Sequence, residues 1–244
     1  MEHIATSVPL YVQIAEGLLD QIESGKLAPG ARLPSERKLS KTLGVNRLTL
    51  RRALSRLEAQ GVIIRQHGKG NFVTEPKIER RAGRLVSFTT GMQRRGYTPG
   101  ARVITFEQRP AEVAIAGHLG LPVSTLVYYV RRLRSINQEP VMLEELWLPV
   151  HLFPGFEHYD LTSRSVYGIM ETEYDVSMGK ARRALEPVVA TEYEAELLGV
   201  ETGAPLMLER RIGFDRDERL IEYGKDLYRG DRFRFVTEDA LWEP

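Results

Sequence analysis

The residues best placed to do chemistry in the first third of the chain are arginines. Arg47, Arg51, Arg52 and Arg56, with Thr49 among them, lie around the polar surface of a segment whose other side carries Leu50, Ala53, Leu54 and Leu57. A helix of that pattern has the diameter of a DNA major groove. There arginine pairs bidentately with guanine, and threonine touches a thymine methyl or a phosphate. Arg47, Thr49 and Arg51 are the leading candidates to read bases. A polar helix face taken alone is ordinarily just solvated, so the neighbouring elements decide its role.

Those elements are legible. Leu10, Ile14, Leu18 and Ile22 follow Pro9 at four-residue steps and predict a first helix over 10–24, ended by Gly25. A turn at Ala28-Pro29-Gly30 leads to Ser35, a good cap after Pro34 for a short second helix reaching Leu43. Gly44 suits a left-handed cap, Val45 plugs inward, and Asn46 caps the third helix from Arg47. After Gly61, the apolar residues 62–64 and 72–73 flank Gln66-His67-Gly68-Lys69-Gly70, which predicts two strands around a glycine-rich tip. That hairpin is a wing, with His67 and Lys69 in reach of a minor groove or of phosphates.

Charge agrees with this reading. Residues 26–73 hold eleven Lys/Arg against only Glu36 and Glu58, a net +9, whereas residues 76–244 hold twenty-three against twenty-six, a net −3. A polyanion is the natural partner of the head. The length of 244 residues suits two domains, expected as 1–75, a charged linker over 76–84, and 85–244. The chain has no cysteine, hence no disulfide or thiolate zinc site, and no long apolar run or secretory leader, so a soluble cytoplasmic protein is expected. No metal or cofactor is expected; His118, His151 and His158 lack ligand spacing.

At these residues the head resembles the GntR family of bacterial transcription regulators. Pro29-Gly30, Leu33-Pro34-Ser35-Glu36-Arg37, Gly44-Val45, Arg47, Thr49, Arg51, Ala53-Leu54, Gly61 and Gly68-Lys69-Gly70 keep the family spacing, with Asn46 where serine is commoner. The resemblance implies a winged helix-turn-helix fold and adds Arg37 and Gly68 to the DNA contacts. The expected DNA-binding set is Ser35, Arg37, Asn46, Arg47, Thr49, Arg51, His67, Gly68 and Lys69.

The rest of the chain repeats itself. A helix over 111–119, a strand over 126–134, a turn at Asn137-Gln138 and a strand over 140–148 are followed by a helix over 191–198, a strand over 206–212, a turn at 215–217 and a strand over 220–228. The passes align with an offset of 78 or 79, setting Leu119-Gly120 on Leu198-Gly199, Arg132 on Arg210, and Leu143-Glu144 on Ile221-Glu222. Two copies suggest a pseudo-symmetric antiparallel sheet with flanking helices, an α+β protein overall.

This half is similar to the effector (UTRA) domain of HutC-type GntR regulators, whose fold resembles chorismate lyase. The likeness rests on Arg132-Leu133-Arg134, Glu144, Ser165-Val166-Tyr167 and Tyr228-Arg229-Gly230-Asp231-Arg232. In family members that sense amino-sugar phosphates the matching positions bind phosphate and sugar. The chemistry is consistent: Arg132 and Arg134, two apart on a strand, share a face and can clamp an oxyanion. Ser165 can cap the helix carrying Tyr167, and Ser87-Phe88-Thr89 can complete the cradle. Glu144 and Glu222 would accept sugar hydroxyl or amine hydrogens, with Tyr228 adding a ring and a hydroxyl.

The resulting expectation is a dimeric repressor that binds a palindromic double-stranded operator and is released by a small anion, a phosphorylated amino sugar. It is not an enzyme, although paired carboxylates and a lyase-like fold leave that alternative open. A carboxylate or phosphonate effector is the other alternative, because Thr90-Gly91 replaces the acidic pair common in amino-sugar sensors.

Overall fold

A computed structural model of the chain describes residues 8–66, 68–81 and 86–237. The chain divides into two units after Lys77. The first contains α1 (Leu10–Glu23), α2 (Glu36–Leu43), α3 (Arg47–Ala59) and the antiparallel hairpin β1 (Ile63–Gln66) with β2 (Gly70–Val73). Ile14, Leu18, Leu39, Leu50, Leu54 and Leu57 meet Ile63 and Val73 in one core, so the three helices and the hairpin fold as a unit. Leu10, expected on the apolar stripe of α1, is 53 % exposed at the first helical position; Ala15 is buried instead.

The caps set the angle between α2 and α3. Ser35 accepts from Lys38 N, Asn46 accepts from Thr49 N at 2.8 Å, and Gly44 ends α2 at φ 65°. Val45, partly buried, packs on the core between them.

The second unit comprises β3 (Ile78–Arg81), α4 (Phe88–Gln93), β4 (Pro99–Pro110), α5 (Val113–Leu119), β5 (Leu126–Ile136), β6 (Glu139–Pro149), α6 (Val166–Tyr174), β7 (Met178–Val189), α7 (Glu192–Leu198), β8 (Pro205–Asp215), β9 (Leu220–Arg229) and β10 (Phe233–Val236). Six strands form an antiparallel sheet in the order β4-β5-β6-β9-β8-β7. That order reads as two strand–helix–hairpin copies joined at β6 and β9. β3 pairs in parallel with β10, with Ile78 opposite Phe233. Part of the segment expected as linker is therefore strand, because Ile78 is buried beside Phe88, Met92 and Phe233. Residues 82–85 of that segment lie outside the described residues.

The copies align differently from the sequence expectation. The left-handed caps Gly120 and Gly199 and the starts of β5 and β8 are each 79 residues apart, which sets Arg132 on Arg211 rather than Arg210. The turn between β8 and β9 encloses residues 216–218 where that between β5 and β6 encloses only 137–138, so the offset then grows by one. Glu144 lies opposite Arg132, and the residue opposite Arg211 is Gly224, so Glu144 and Glu222 are not equivalent. A one-residue slip moves a strand side chain to the other face of the sheet. Arg211 is thus buried, while Arg210 is on the opposite face and bonds Glu186.

Candidate functional site

In the first unit Ser35, Arg37, Asn46, Arg47, Arg51, Gly68 and Lys69 are exposed, and Thr49 is half-buried behind the Asn46 cap. His67 lies outside the described residues. Two residues that sequence reasoning passed over share this surface. Leu48 is 68 % exposed between Arg47 and Thr49, an apolar group of the kind that packs on a thymine methyl. Glu36, the first residue of α2, accepts from Arg51 Nε at 2.8 Å and lies 3.8 Å from Arg65 of β1. The alternation of β1 could have shown Arg65 beside the recognition helix; nothing in the sequence showed the reach of Glu36.

In the second unit one face of the sheet meets α4 and α6 around a small cavity, partly open to solvent. Its lining brings together Ser87, Phe88, Thr89, Arg132, Arg134, Glu144, Ser165, Tyr167 and Tyr228. Glu222, fully buried, is not in the lining; it accepts from Tyr167 Oη at 2.7 Å and from Arg211 Nε at 2.6 Å. The cavity adds Arg80, Arg183, Arg211 and Asp226, none of which sequence reasoning selected. Five arginines line the wall with Glu144 and Asp226, while the buried Glu209 and Glu222 pair with Arg183 and Arg211.

The two sequence-selected arginines differ in what they have left to offer. Arg132 is 1 % exposed: Nε donates to Glu144 at 2.7 Å and Nη1 to the Leu161 carbonyl at 3.0 Å, with Nη2 also 2.5 Å from Glu144. Arg134 donates from Nη2 to Thr89 Oγ1 at 2.9 Å, lies over the Phe88 ring, and reaches Glu144 only at 3.4 Å. Burial disfavours its charged form and lowers its pKa against the pull of Glu144. A guanidinium so held gains from an anion more than a solvated one does. Ser87 and Ser165 are the caps of α4 and α6, the latter accepting from Gly168 N.

Across the floor, Glu144 of β6 is directly opposite Asp226 of β9, which is directly opposite Glu209 of β8. Three carboxylates in a row repel one another, and the arginines apportion the charge. Burial pushes Glu144 upward, but Arg132, Arg134 and Arg211 outweigh it and hold its pKa at about 2. Burial dominates at Asp226, and despite Arg211 the added repulsion of Glu144 and Glu209 leaves it at about 7. Burial also raises Tyr167 and Tyr228 well above the ordinary phenol value, so both are neutral donors. Arg211 finds room because the opposite residue is Gly224: a β-carbon there would lie 2.8 Å from its Nη2. Asp226 could have been found by spacing, since 222, 224, 226 and 228 of β9 share one face.

Residues 10–73 match the description "Bacterial regulatory proteins, gntR family", and residues 94–234 match the UTRA domain. The chain belongs to the GntR family. It is a transcriptional repressor of the HutC type, a DNA-binding regulator and not an enzyme. Over 229 residues it is 36 % identical to the transcriptional repressor NagR of Bacillus subtilis (strain 168), covering 94 % of each chain. It is 30 % identical to MngR, the mannosyl-D-glycerate transport/metabolism system repressor of Escherichia coli (strain K12), covering 93 % of this regulator and 95 % of that protein. The crystal structure of PhnF from Mycobacterium smegmatis superposes with a TM-score of 0.67 at 26 % identity, covering 96 % of the regulator and all of PhnF. Among the described residues no helix is long and apolar enough to cross a membrane.

Proposed function

We propose that the regulator is a cytoplasmic homodimer that holds a palindromic operator through residues 1–77 and is released when residues 78–244 bind a small anion, a phosphorylated amino sugar. The observation that carries the effector class is the cavity wall: five arginines, the hydroxyls of Ser87, Thr89 and Ser165, and the N-terminus of α6 converge on one small space. Charge-assisted donors with a helix N-terminus suit a phosphate. Glu144, Asp226 and the phenols of Tyr167 and Tyr228 supply the acceptors and donors that sugar hydroxyls and an amine require. Sugar chemistry is supported by relatives named for mannosyl-D-glycerate metabolism and for fructoselysine utilization.

In the head, Arg47, Thr49 and Arg51 read bases, Arg37, Asn46 and Lys69 hold phosphates, and Gly68 lets the wing approach. Two-fold symmetry of the operator mirrors that of the dimer. Release requires only that the effector bind the operator-incompetent arrangement more tightly.

The test uses a duplex selected by the protein from a randomised library. Fluorescence anisotropy should show release by glucosamine 6-phosphate and none by glucosamine. Arg51→Ala should cost about 1–3 kcal/mol on the selected duplex. Equal affinity for selected and scrambled duplexes defeats the operator reading; release by glucosamine at the same concentration defeats the phosphate reading.

A further inference from the structure

Within 26–73 only Glu36 and Glu58 are acidic, and Glu36 lies in the groove between the start of α2 and the wing. A negative charge on a surface that meets phosphates weakens every DNA complex by repulsion. The helix dipole favours an acid at this first position of α2. Its contacts give it a further role. Oε2 accepts from Nε of Arg51, fifteen residues on in α3, and Oε1 faces Nη2 of Arg65 in β1.

The edge of Arg51 that is engaged matters. A guanidinium has five donors; held at Nε, it leaves the end-on edge formed by its two Nη groups unengaged. Those outer donors are the pair that meets guanine O6 and N7. Among the described residues no hydrogen bond to either Nη group of Arg51 is seen, and its side chain is 60 % exposed, whereas that of Glu36 is only 22 % exposed. The carboxylate is the fixed partner and the arginine the one it aims. A free arginine must order its whole chain on meeting a base; one already held loses less.

We propose that Glu36 is a positioning residue for operator specificity, holding Arg51 in its base-reading orientation and tying the recognition helix to the wing through Arg65. It raises discrimination between operator and other DNA at the expense of affinity for DNA in general. This rests on Arg51 as a base reader, and the experiment separates the two.

The full chain selects a duplex from a randomised library, and affinities for that duplex and a scrambled one are measured at one salt concentration. Glu36→Gln keeps the shape and removes the charge. It should bind scrambled DNA about twofold tighter, as expected for one charge removed within roughly a Debye length of a phosphate. It should bind the selected duplex more weakly, so that the ratio of the two affinities falls about tenfold, within the range of one arginine–guanine contact. Glu36→Asp should recover part of that ratio. In an Arg51→Ala background, Glu36→Gln should leave the ratio unchanged. Equal tightening of both duplexes by Glu36→Gln overturns the proposal and makes Glu36 a mere repeller. So does a tenfold fall that persists without Arg51. If Arg51→Ala alone leaves the ratio intact, the base-reading assignment fails first and the proposal falls with it.

Discussion

Removing Arg132 should destabilise the effector unit as well as disturb effector recognition. The guanidinium is 1 % exposed and makes three contacts: two to Glu144 and one to the Leu161 carbonyl. Arg132→Ala strips Glu144 of its nearest cation and leaves Arg134, 3.4 Å away, with Arg211 beyond it. Breaking a buried pair by removing one partner costs about 3–5 kcal/mol. Because Arg134 remains, the lower end applies, about 3 kcal/mol. For a unit of this size a kilocalorie shifts the melting midpoint by about 2–4 °C, so the fall should be about 6–12 °C. Differential scanning calorimetry of the full chain should show it in the transition of residues 78–244, with that of residues 1–77 unmoved. Replacing both partners, Arg132→Met with Glu144→Gln, should recover part of the loss, since no carboxylate is then left buried without its cation and the amide oxygen still accepts from Arg134. A shift below about 2 °C for Arg132→Ala, or a double variant no better than the single, would refute the reasoning.

Arg134→Gln should cost the fold less than loss of Arg132 and spare operator affinity while abolishing release by glucosamine 6-phosphate, because the bonds of Arg134 to Gly100 O and Glu144, at 3.3 and 3.4 Å, are longer than those of Arg132; anisotropy titration checks this. Asp226 has a folded pKa of about 7, raised above its ordinary 3.8, so its protonated form favours folding and stability falls as pH rises from 3.8 to about 7 and levels off above. Urea unfolding from about pH 5 to 8 should show that fall and its end near 7, and Asp226→Asn should flatten it; an unchanged slope counts against the opposed-carboxylate account. Gly224→Ala places a β-carbon 2.8 Å from Arg211 Nη2 and should cost about 1–3 kcal/mol in the same assay. Asn46→Ala removes the α3 cap and should cost about 1 kcal/mol in the head transition alone.

The head was legible because its determinants are local. Ser35, Gly44 and Asn46 act on backbone groups within three residues, and apolar spacing along α3 separates Leu50 and Leu54 from Arg47 and Arg51. Glu36 was not legible in the same way, since its partner is fifteen residues distant and depends on the angle that the cap at Gly44 creates. In the second unit, Arg132, Arg134, Glu144 and Tyr228 were brought to one cavity as expected, while Arg211 and Asp226 were passed over. Those two depend on sheet register. An offset read as 78 instead of 79 selects Arg210, whose side chain is on the other face.

The sequence by itself determined the elements, the caps, the basic head and the duplicated order of the second unit, because each follows from neighbours along the chain. Tertiary structure decided which charges are spent and which are free. Arg132 is bound by Glu144, whereas Arg134 faces the cavity with weaker partners. Asp226 keeps its proton near neutrality only because β6 and β8 bring Glu144 and Glu209 level with it inside a buried floor. Charge state is a property of distance and burial, and a linear pattern contains neither.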